Sequence, residues 1–384
     1  MKIVVLCANH SLGDERVVVR QSLSLAQAGY DVTVLGREDP EKRLPVHPRL
    51  DLRSTAPLIR GASLASKLGR FKVLFGLRRQ VLDLRPDLIV AHEPDSAFVA
   101  LSARRRCGAP VHFDVHECFE EMAAERAPRL LRGLVRFLVW RMMAHLGRRC
   151  DWITVVSPTT ARQFRALRPE GRVDILHNSP RSGLFPVCNQ DVGAEVTLCH
   201  EGWLDISYGM QQLIEAVALA RKKIKVRLLL VGKVRVGSEQ AFDQLVKQHD
   251  LGAVIQATGW LPYDEVGRTD AQAQIGLVVM QPSGNNYGSL SNKLYSYMAC
   301  GHALVVPRGS ASEELVRQYH CGVGVDVTRA EEIAAAIVRL AQDVGQRKEF
   351  GANARRAIVE ELSWEHMEGT LRNICSELTA RPRT

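Results

Sequence analysis

Polar and charged side chains recur in the first half of the chain where short apolar runs end. His10, Gly13 and Arg16 lie in a turn that opens a helix, and a helix N-terminus with free N–H groups suits a diphosphate. His92 and Glu93 close a later apolar run, at the edge where parallel sheets place ligands. Capping of the following helix is the alternative role for the carboxylates of both segments. The pattern predicts a polar ligand site along one edge of a sheet.

A third apolar run, VHFDVHE, ends in His116 and Glu117. Because side chains alternate between the two faces of a strand, His112, Asp114 and His116 share one face of it. Such a set suits either a metal site or a hydrogen-bonded structural network. The residues alone leave both interpretations open.

Short β-branched runs alternate with helical patterns along the whole chain of 384 residues. Most runs are apolar on both faces, as strands of a buried parallel sheet are. Residues 178–193, rich in Pro, Gly, Ser and Asn, predict an interdomain linker. The alternation predicts an α/β fold with two doubly wound, Rossmann-like domains that face a central cleft. Helices are predicted over residues 14–28, ending at Gly29, and over the tail at 330–378. The predicted strands are residues 2–7, 31–36, 50–55, 87–92, 111–116, 152–157, 173–177, 196–200, 226–232, 255–260, 275–280, 303–307 and 323–327.

Composition and missing motifs exclude several classes of protein. With 46% hydrophobic and 24% charged residues, the chain is neither disordered nor collagen-like. It has no run of about 18 apolar residues, and its N-terminus is typical of a first strand and not of a signal peptide. The nine cysteines are scattered without a CxxC pair, which is typical of a reducing cytosol. Neither half carries GxGxxG after its first strand, and no P-loop motif occurs, which disfavours a dehydrogenase and a P-loop NTPase.

Several blocks, in order, resemble the retaining glycosyltransferases of family 4, which have the two-domain GT-B fold. The blocks are NHSLGDERVVVRQSLSLAQAGYDVTVL, RPDLIVAHEPD, VHFDVHECFEE, CDWITVVSPTTARQF, VDILHNSP, HEGWLDISYGMQQLIEAV, RLLLVGK, ATGWLPYDEV, NKLYSYMACGHALVVP and ELSWEHMEGTL. The resemblance implies front-face transfer of a sugar from a nucleotide-sugar donor to a hydroxyl of a lipid-linked or cell-surface glycan. The resemblance also implies that the leaving diphosphate assists deprotonation of the acceptor and that neither a cofactor nor a metal is needed.

The resemblance also implies a domain organisation. Residues 1–180 would form the acceptor-side domain and residues 190–363 the domain that binds the nucleotide sugar. A last helix, at about residues 365–384, would pack back on the first domain.

Roles for individual residues follow from the same resemblance. His116 matches the histidine that points at the donor sugar, and Lys293 follows Asn292 as in a variant of the family motif. These two, His116 and Lys293, are the candidate catalytic residues. Trp260 lies in the base-recognition loop, where it would stack on a nucleobase or simply pack. The donor-side candidates are Gly13, Arg16, Glu117, Asn178, Gly202, Lys233, Trp260, Asn292, Lys293, Leu294 and Ser296; the acceptor-side candidates are His10, His92 and Glu93.

The sequence departs from the family at the donor phosphates. Trp203 and Tyr208 stand where the family has the arginine and lysine that neutralise the leaving diphosphate. Ser296 replaces a glutamate that binds the ribose, and Gly288 the glutamate eight residues earlier, unless a longer loop brings Asn285 or Asn286 there. Lys233, Lys293 and Arg235 are the candidate substitutes, with simple solvent exposure as the alternative for the two lysines. The absence of the family's arginine, lysine and glutamates also motivates a second hypothesis, a catalytically inactive partner or scaffold protein of a glycan assembly system. An epimerase of the same fold is a third.

The excess of positive over negative charge lies in the first half of the chain. Residues 1–190 hold 30 Lys and Arg against 19 Asp and Glu, and the rest hold 21 against 23. Residues 126–149 carry seven arginines and no acid between apolar residues, and residues 52–82 are also basic without acids. Such a pattern predicts contact with an anionic membrane surface, or alternatively an ordinary packed helix with solvated arginines. No nucleic-acid motif accompanies the charge. We expect a cytoplasmic protein, peripheral at the inner face of the plasma membrane.

Overall fold

The computed structural model describes residues 1–38, 44–56, 64–191, 193 and 195–380. Residues 57–63 of the predicted basic stretch and 381–384 of the predicted last helix lie outside the described residues. The chain divides into two compact units. Unit 1 is Met1–Leu176 with Met367–Thr384, and unit 2 is His177–His366.

Unit 1 is built on a seven-stranded parallel sheet with the order β3-β2-β1-β4-β5-β6-β7. Its strands are β1 (Lys2–Ser11), β2 (Asp31–Arg37), β3 (Leu50–Ser54), β4 (Leu88–His92), β5 (Val111–Val115), β6 (Trp152–Val155) and β7 (Val173–Ile175). Its helices are α1 (Leu23–Gln27), α2 (Leu64–Leu84), α3 (Glu93–Cys107), α4 (Phe119–Arg126), α5 (Arg132–Arg149) and α6 (Pro158–Leu167). Every residue of β4, β5 and β6 is buried, including the polar residues His112 and Asp114 of β5.

The first predicted helix has an unusual geometry. It begins as a π-helix over Glu15–Ser22 and becomes α-helical only in α1. Ser22 Oγ donates to the carbonyl of Val17 at 2.6 Å, five residues back, which supports the wider π turn. The helix stops before Gly29, as predicted, because Gly29 adopts φ +96°, a conformation that side chains disfavour.

Unit 2 repeats the architecture with a six-stranded parallel sheet of order β10-β9-β8-β11-β12-β13. The strands are β8 (Glu195–Glu201), β9 (Lys225–Val231), β10 (Ile255–Gly259), β11 (Ile275–Leu277), β12 (Ala303–Pro307) and β13 (Gly322–Val325). The helices are α7 (Met210–Arg221), α8 (Glu239–Gln248), α9 (Tyr263–Asp270), α10 (Gly284–Gly288), α11 (Asn292–Cys300), α12 (Ala311–Gln318), α13 (Ala330–Gln342) and α14 (Val344–Ala357). The prediction of two α/β domains with parallel sheets is confirmed.

The chain returns to unit 1 at its end. A π-helical turn over Ile358–Leu362 precedes the last helix, α15 (Trp364–Thr379). Trp364 is fully buried, and its backbone N–H donates to Pro180 O at 2.9 Å within unit 2. From Met367 onward the helix belongs to unit 1, where Glu377 pairs with Arg172. Among the described residues, no helix combines the length and hydropathy that a bilayer crossing requires.

Candidate functional site

Three histidines meet at the carboxyl edge of the unit 1 sheet. β4 pairs in parallel with both β1 and β5, so the ends of these strands lie side by side. The ring centroid of His116, just past β5, is 4.8 Å from that of His10 and 5.8 Å from that of His92. The structure therefore brings together the three segments that the sequence singled out separately.

The buried carboxylate of Asp114 lies at the centre of the hydrogen bonds around this cluster. Its carboxylate accepts two hydrogen bonds from Arg16, at 2.9 and 2.7 Å, and one from Gln21 at 2.8 Å. It also accepts from Thr154 Oγ1 at 2.7 Å, so the His112 Nε2 at 2.8 Å from that hydroxyl oxygen must be the donor. Burial opposes charge on Asp114, but the Arg16 guanidinium outweighs it and holds the pKa well below the usual range. Arg16, a predicted donor contact, is itself buried and positions Asp114.

Two neighbouring carboxylates favour the charged form of His10. Burial alone would lower its pKa, but Asp14 at 3.0 Å from Nδ1 and Glu93 at 2.9 Å from Nε2 raise it to about 10. His116 Nε2 lies 2.9 Å from His10 Nε2, and burial followed by the charge of His10 lowers the pKa of His116 to about 3. Because two N–H groups cannot face each other, neutral His116 presents its Nε2 lone pair to His10. Its proton then sits on Nδ1, which lies 3.8 Å from Asp114.

Glu93 is held in a strained conformation. Its φ is +70°, a region that residues other than glycine rarely adopt, and its side chain is buried. One carboxylate oxygen accepts from the backbone N–H of Asn9 at 2.9 Å while the other contacts His10. The strain is thus tied to the placement of the His10 charge, which is typical of functional positions.

A metal ion fits this cluster poorly. Within the described part of the chain, His92, Asp114 and His116 offer ligand atoms within 4.8 Å of one another. However, the Arg16 guanidinium already occupies Asp114, and it would repel a divalent cation bound to the same carboxylate. The expectation of a metal-free site stays a prediction.

Lys293 is a buried cation of unit 2. It lies in the first turn of α11, is only 8% exposed, and its Nζ reaches to 4.0 Å from where a Cβ on Gly202 would stand. Gly202 follows β8 with φ +93°, so this loop favours glycine at the point where the ammonium approaches it. Burial lowers the pKa of Lys293 to about 8, although Glu201 opposes the shift. Asn292, Leu294 and Ser296 share this helix, and Leu294 and Ser296 are buried.

Sequence reasoning missed the carboxyl pair of Asp270 and Glu201, of which Glu201 acts on the charge of Lys293. Asp270 is fully buried, and burial together with the charge of Glu201 raises its pKa well above the usual range. Cys199 Sγ donates to Asp270 at 3.3 Å, and the backbone N–H of Glu201 donates to Tyr297 Oη at 2.7 Å. Glu201 could have been found, because it ends β8 immediately before Gly202. Asp270 closes α9, and nothing in the sequence pattern marks it.

The loop predicted to carry the first missing glutamate is a short helix, α10. Ser283 Oγ caps it by accepting from the Asn286 N–H at 3.1 Å, and Asn286 Nδ2 donates to Gln281 O at 2.9 Å. Asn285 accepts from Ser289 Oγ through its backbone oxygen at 2.6 Å. These side-chain bonds shape the loop before α11.

The aromatic residues at this edge are exposed. The rings of Trp203 and Trp260 lie 5.5 Å apart, with 40% and 46% of their surfaces exposed. Lys233 is exposed as well, and its carbonyl accepts from the Leu204 N–H at 3.0 Å. The exposure of Trp260 is compatible with stacking, one of the two roles that the sequence leaves open, and Lys233 is an exposed loop residue.

The remaining candidates occupy ordinary loop positions. Gly13 is buried in the turn after β1, and Glu117 is half-buried just past β5. Asn178 is half-buried near the start of unit 2. It follows His177, whose Nδ1 lies 2.7 Å from Tyr295 Oη.

Comparisons with known proteins match both halves of the chain. The Glycosyltransferase Family 4 model matches residues 13–179, and the Glycosyl transferases group 1 model matches residues 196–343. The MMP alpha-(1->4)-mannosyltransferase of Mycolicibacterium hassiacum is 25% identical over 399 residues, covering 92% of each chain.

Solved structures share the fold at lower identity. Sucrose-phosphate synthase from Thermosynechococcus elongatus has a TM-score of 0.78 at 18% identity and covers 99% of both chains. HepE from Anabaena, in complex with UDP, has a TM-score of 0.72 at 16% identity over 98% of this chain and 100% of its own. WaaG, a glycosyltransferase involved in lipopolysaccharide biosynthesis, has a TM-score of 0.68 at 14% identity over 97% of this chain and 99% of its own. The fold is GT-B.

Proposed function

Because the chain belongs to glycosyltransferase family 4, we propose that it is a retaining hexosyltransferase. It moves a sugar from a nucleotide-sugar donor to a hydroxyl of a lipid-linked or cell-surface glycan. The observation that carries the proposal is Lys293, a buried ammonium at the start of α11 and beside the glycine turn after β8. A buried cation at a helix N-terminus is suited to a diphosphate.

The donor side of the proposed reaction lies in unit 2. As the bond between the anomeric carbon and the diphosphate breaks, negative charge grows on the departing oxygen. Lys293 and the N–H groups of the first turn of α11 stabilise that charge, which is where such groups contribute most. The acceptor hydroxyl attacks the same face of the sugar, and its proton passes to the leaving diphosphate. No covalent enzyme intermediate is needed.

Unit 1 supplies the polar edge for the sugar and the acceptor. The Nε2 of His116 lies 2.9 Å from the Nε2 of His10, which also contacts Glu93, and this contact orients the His116 ring before any ligand arrives. We propose that His116 orients the transferred sugar, with His10, His92 and Glu93 on the acceptor side. The charge of His10 is balanced by two carboxylates, which keeps the site from attracting further anions.

The acceptor is proposed to be presented at an anionic membrane. On α5, Leu134, Phe137 and Leu138 are each 55% exposed and share one helix face. This face lies within residues 126–149, a segment that carries seven arginines and no acidic residue. An exposed apolar stripe among cations is typical of helices that lie in a membrane interface. The protein would then be peripheral at the inner face of the plasma membrane.

The donor is tested by thermal shift with UDP, GDP, ADP, CMP, dTDP and their common sugars. A ligand at 100 times its dissociation constant stabilises by about 2.7 kcal/mol. We expect one nucleotide series to stabilise the wild type, and K293M to lose the response while K247M, an exposed lysine on α8, keeps it.

The alternative function is an inactive partner of a glycan assembly system. The cations missing at Trp203 and Tyr208 and the carboxylate missing at Ser296 favour it. Absence of any response at millimolar ligand would support that alternative and refute the transferase.

A further inference from the structure

Arg235 occupies the space in front of the two aromatic residues that replace the family cations. The guanidinium carbon lies 5.2 Å from the ring centroid of Tyr208 and 6.0 Å from that of Trp203. Its Nε lies 2.9 Å from Asp205, a buried carboxylate that caps the turn at Ile206–Tyr208. The side chain is 47% exposed, so the guanidinium is fixed on one side and open to solvent on the other.

The backbone explains how a residue from another loop reaches this place. The segments after β8 and β9 continue side by side, with a bridge between Leu204 and Val234. The Arg235 N–H donates to Leu204 O at 2.9 Å. Arg235 is thereby brought beside positions 203–208, although about thirty residues separate them in sequence.

A second cation converges on the same ring. Lys293 Nζ lies 5.8 Å from the centroid of Tyr208, so an ammonium and a guanidinium both contact this tyrosine. Cation–π contacts of this kind hold cations in place without neutralising them. Asp205 balances part of the charge of Arg235, and Glu201 part of that of Lys293. Arginine is also the side chain best suited to grip phosphate with two parallel hydrogen bonds.

We propose that Arg235 is a diphosphate-binding residue that replaces, from the loop after β9, the cations lost at positions 203 and 208. Together with Lys293 it would hold the two phosphates of the donor. This inference rests on the proposed function, since it names a further residue of the same donor site.

The test measures two affinities by calorimetry, for nucleoside diphosphates (UDP, GDP, ADP and dTDP) and for the matching monophosphates. For R235Q we expect diphosphate binding to weaken by about 10- to 100-fold, as for loss of a hydrogen bond to a charged group. Monophosphate binding should change much less, so the advantage of the second phosphate shrinks. R235K should fall between R235Q and the wild type, and K247Q should match the wild type.

A rescue variant separates binding from structure. W203R/R235Q returns a guanidinium to this region from the segment after β8, and we expect it to recover part of the lost diphosphate affinity. A purely structural role for Arg235 would weaken both ligands equally and would resist this rescue, which would overturn the inference. Undiminished diphosphate affinity in R235Q would also overturn it while leaving the proposed function intact. If the wild type bound none of the diphosphates, the proposed function would fail and this inference with it.

Discussion

The pair between Arg16 and Asp114 offers the sharpest test of the unit 1 site. Asp114 is fully buried and Arg16 is 6% exposed, and two hydrogen bonds join them. Removing one partner of such a pair leaves an uncompensated buried charge, which costs about 3–5 kcal/mol. We expect R16M to lower the free energy of unfolding of unit 1 by that amount at pH 7. R16M/D114N should recover much of the loss, because the amide is neutral.

The effect of R16M on the free energy of unfolding should depend on pH. In the wild type the pKa of Asp114 is lower in the folded than in the unfolded protein. Asp114 therefore stabilises the fold fully when the pH is above the unfolded pKa, and this stabilisation is lost as the pH falls through the folded pKa. In R16M the strongest opposition to burial is removed, so the pKa of Asp114 rises above its wild-type value although His92 still lowers it. Asp114 then takes a proton as the pH falls, and the difference between R16M and the wild type narrows between pH 7 and about pH 4.

The assay is urea unfolding combined with hydrogen–deuterium exchange of β4 and β5, which assigns the change to unit 1. R49M serves as the matched control, because the Arg49–Asp31 pair is 3.0 Å long but about half exposed on both sides. Such a surface pair contributes about 0–1 kcal/mol. A loss below about 1 kcal/mol in R16M, or a loss that D114N leaves unchanged, would refute the reasoning.

Three further predictions concern charge and surface. In an NMR titration, His10 should stay protonated until about pH 10. Its contribution to the free energy of unfolding should therefore be complete below pH 6.5 and should decrease as the pH rises to 10. Titration of His10 near pH 6.5 would contradict the two ion pairs. Binding of a nucleoside diphosphate should weaken as the pH rises through about 8 and Lys293 loses its charge, whereas K293M should bind weakly at every pH. Replacement of Leu134, Phe137 and Leu138 of α5 by serine should weaken binding to vesicles of anionic lipid, measured by sedimentation, by at least about 10-fold. The control V359S changes a half-exposed valine of unit 2 and should leave binding unchanged. Equal vesicle binding by the triple variant and the wild type would show that α5 does not contact the membrane.

Much of the fold is readable from the sequence because buried parallel strands leave a plain pattern. Polar residues after apolar runs direct attention to His10, His92 and His116. The first strand is predicted to end at residue 7, however, whereas β1 continues to Ser11 and contains His10. The two-residue periodicity of a β-strand also places His112, Asp114 and His116 on one face, as the structure has them.

The remainder depends on which strands become neighbours, and local patterns do not encode that. The pairing of Arg16 with Asp114, and of His10 with Glu93, needs the order β1-β4-β5. Asp270 closes a helix, and only tertiary packing brings it to Glu201. Arg235 likewise reaches Tyr208 only because β8 and β9 pair beyond their ends.

The most direct test of the proposed activity is transfer itself. Wild-type protein, K293M and K247M would be incubated with the nucleotide sugar selected by thermal shift and with vesicles carrying lipid-linked glycan acceptors, and product linkage would be determined by NMR. We predict a glycoside with the anomeric configuration of the donor from the wild type and K247M, and at least about 100-fold less from K293M, in line with loss of one transition-state contact. Product of inverted configuration, or equal rates for K293M and the wild type, would contradict the account.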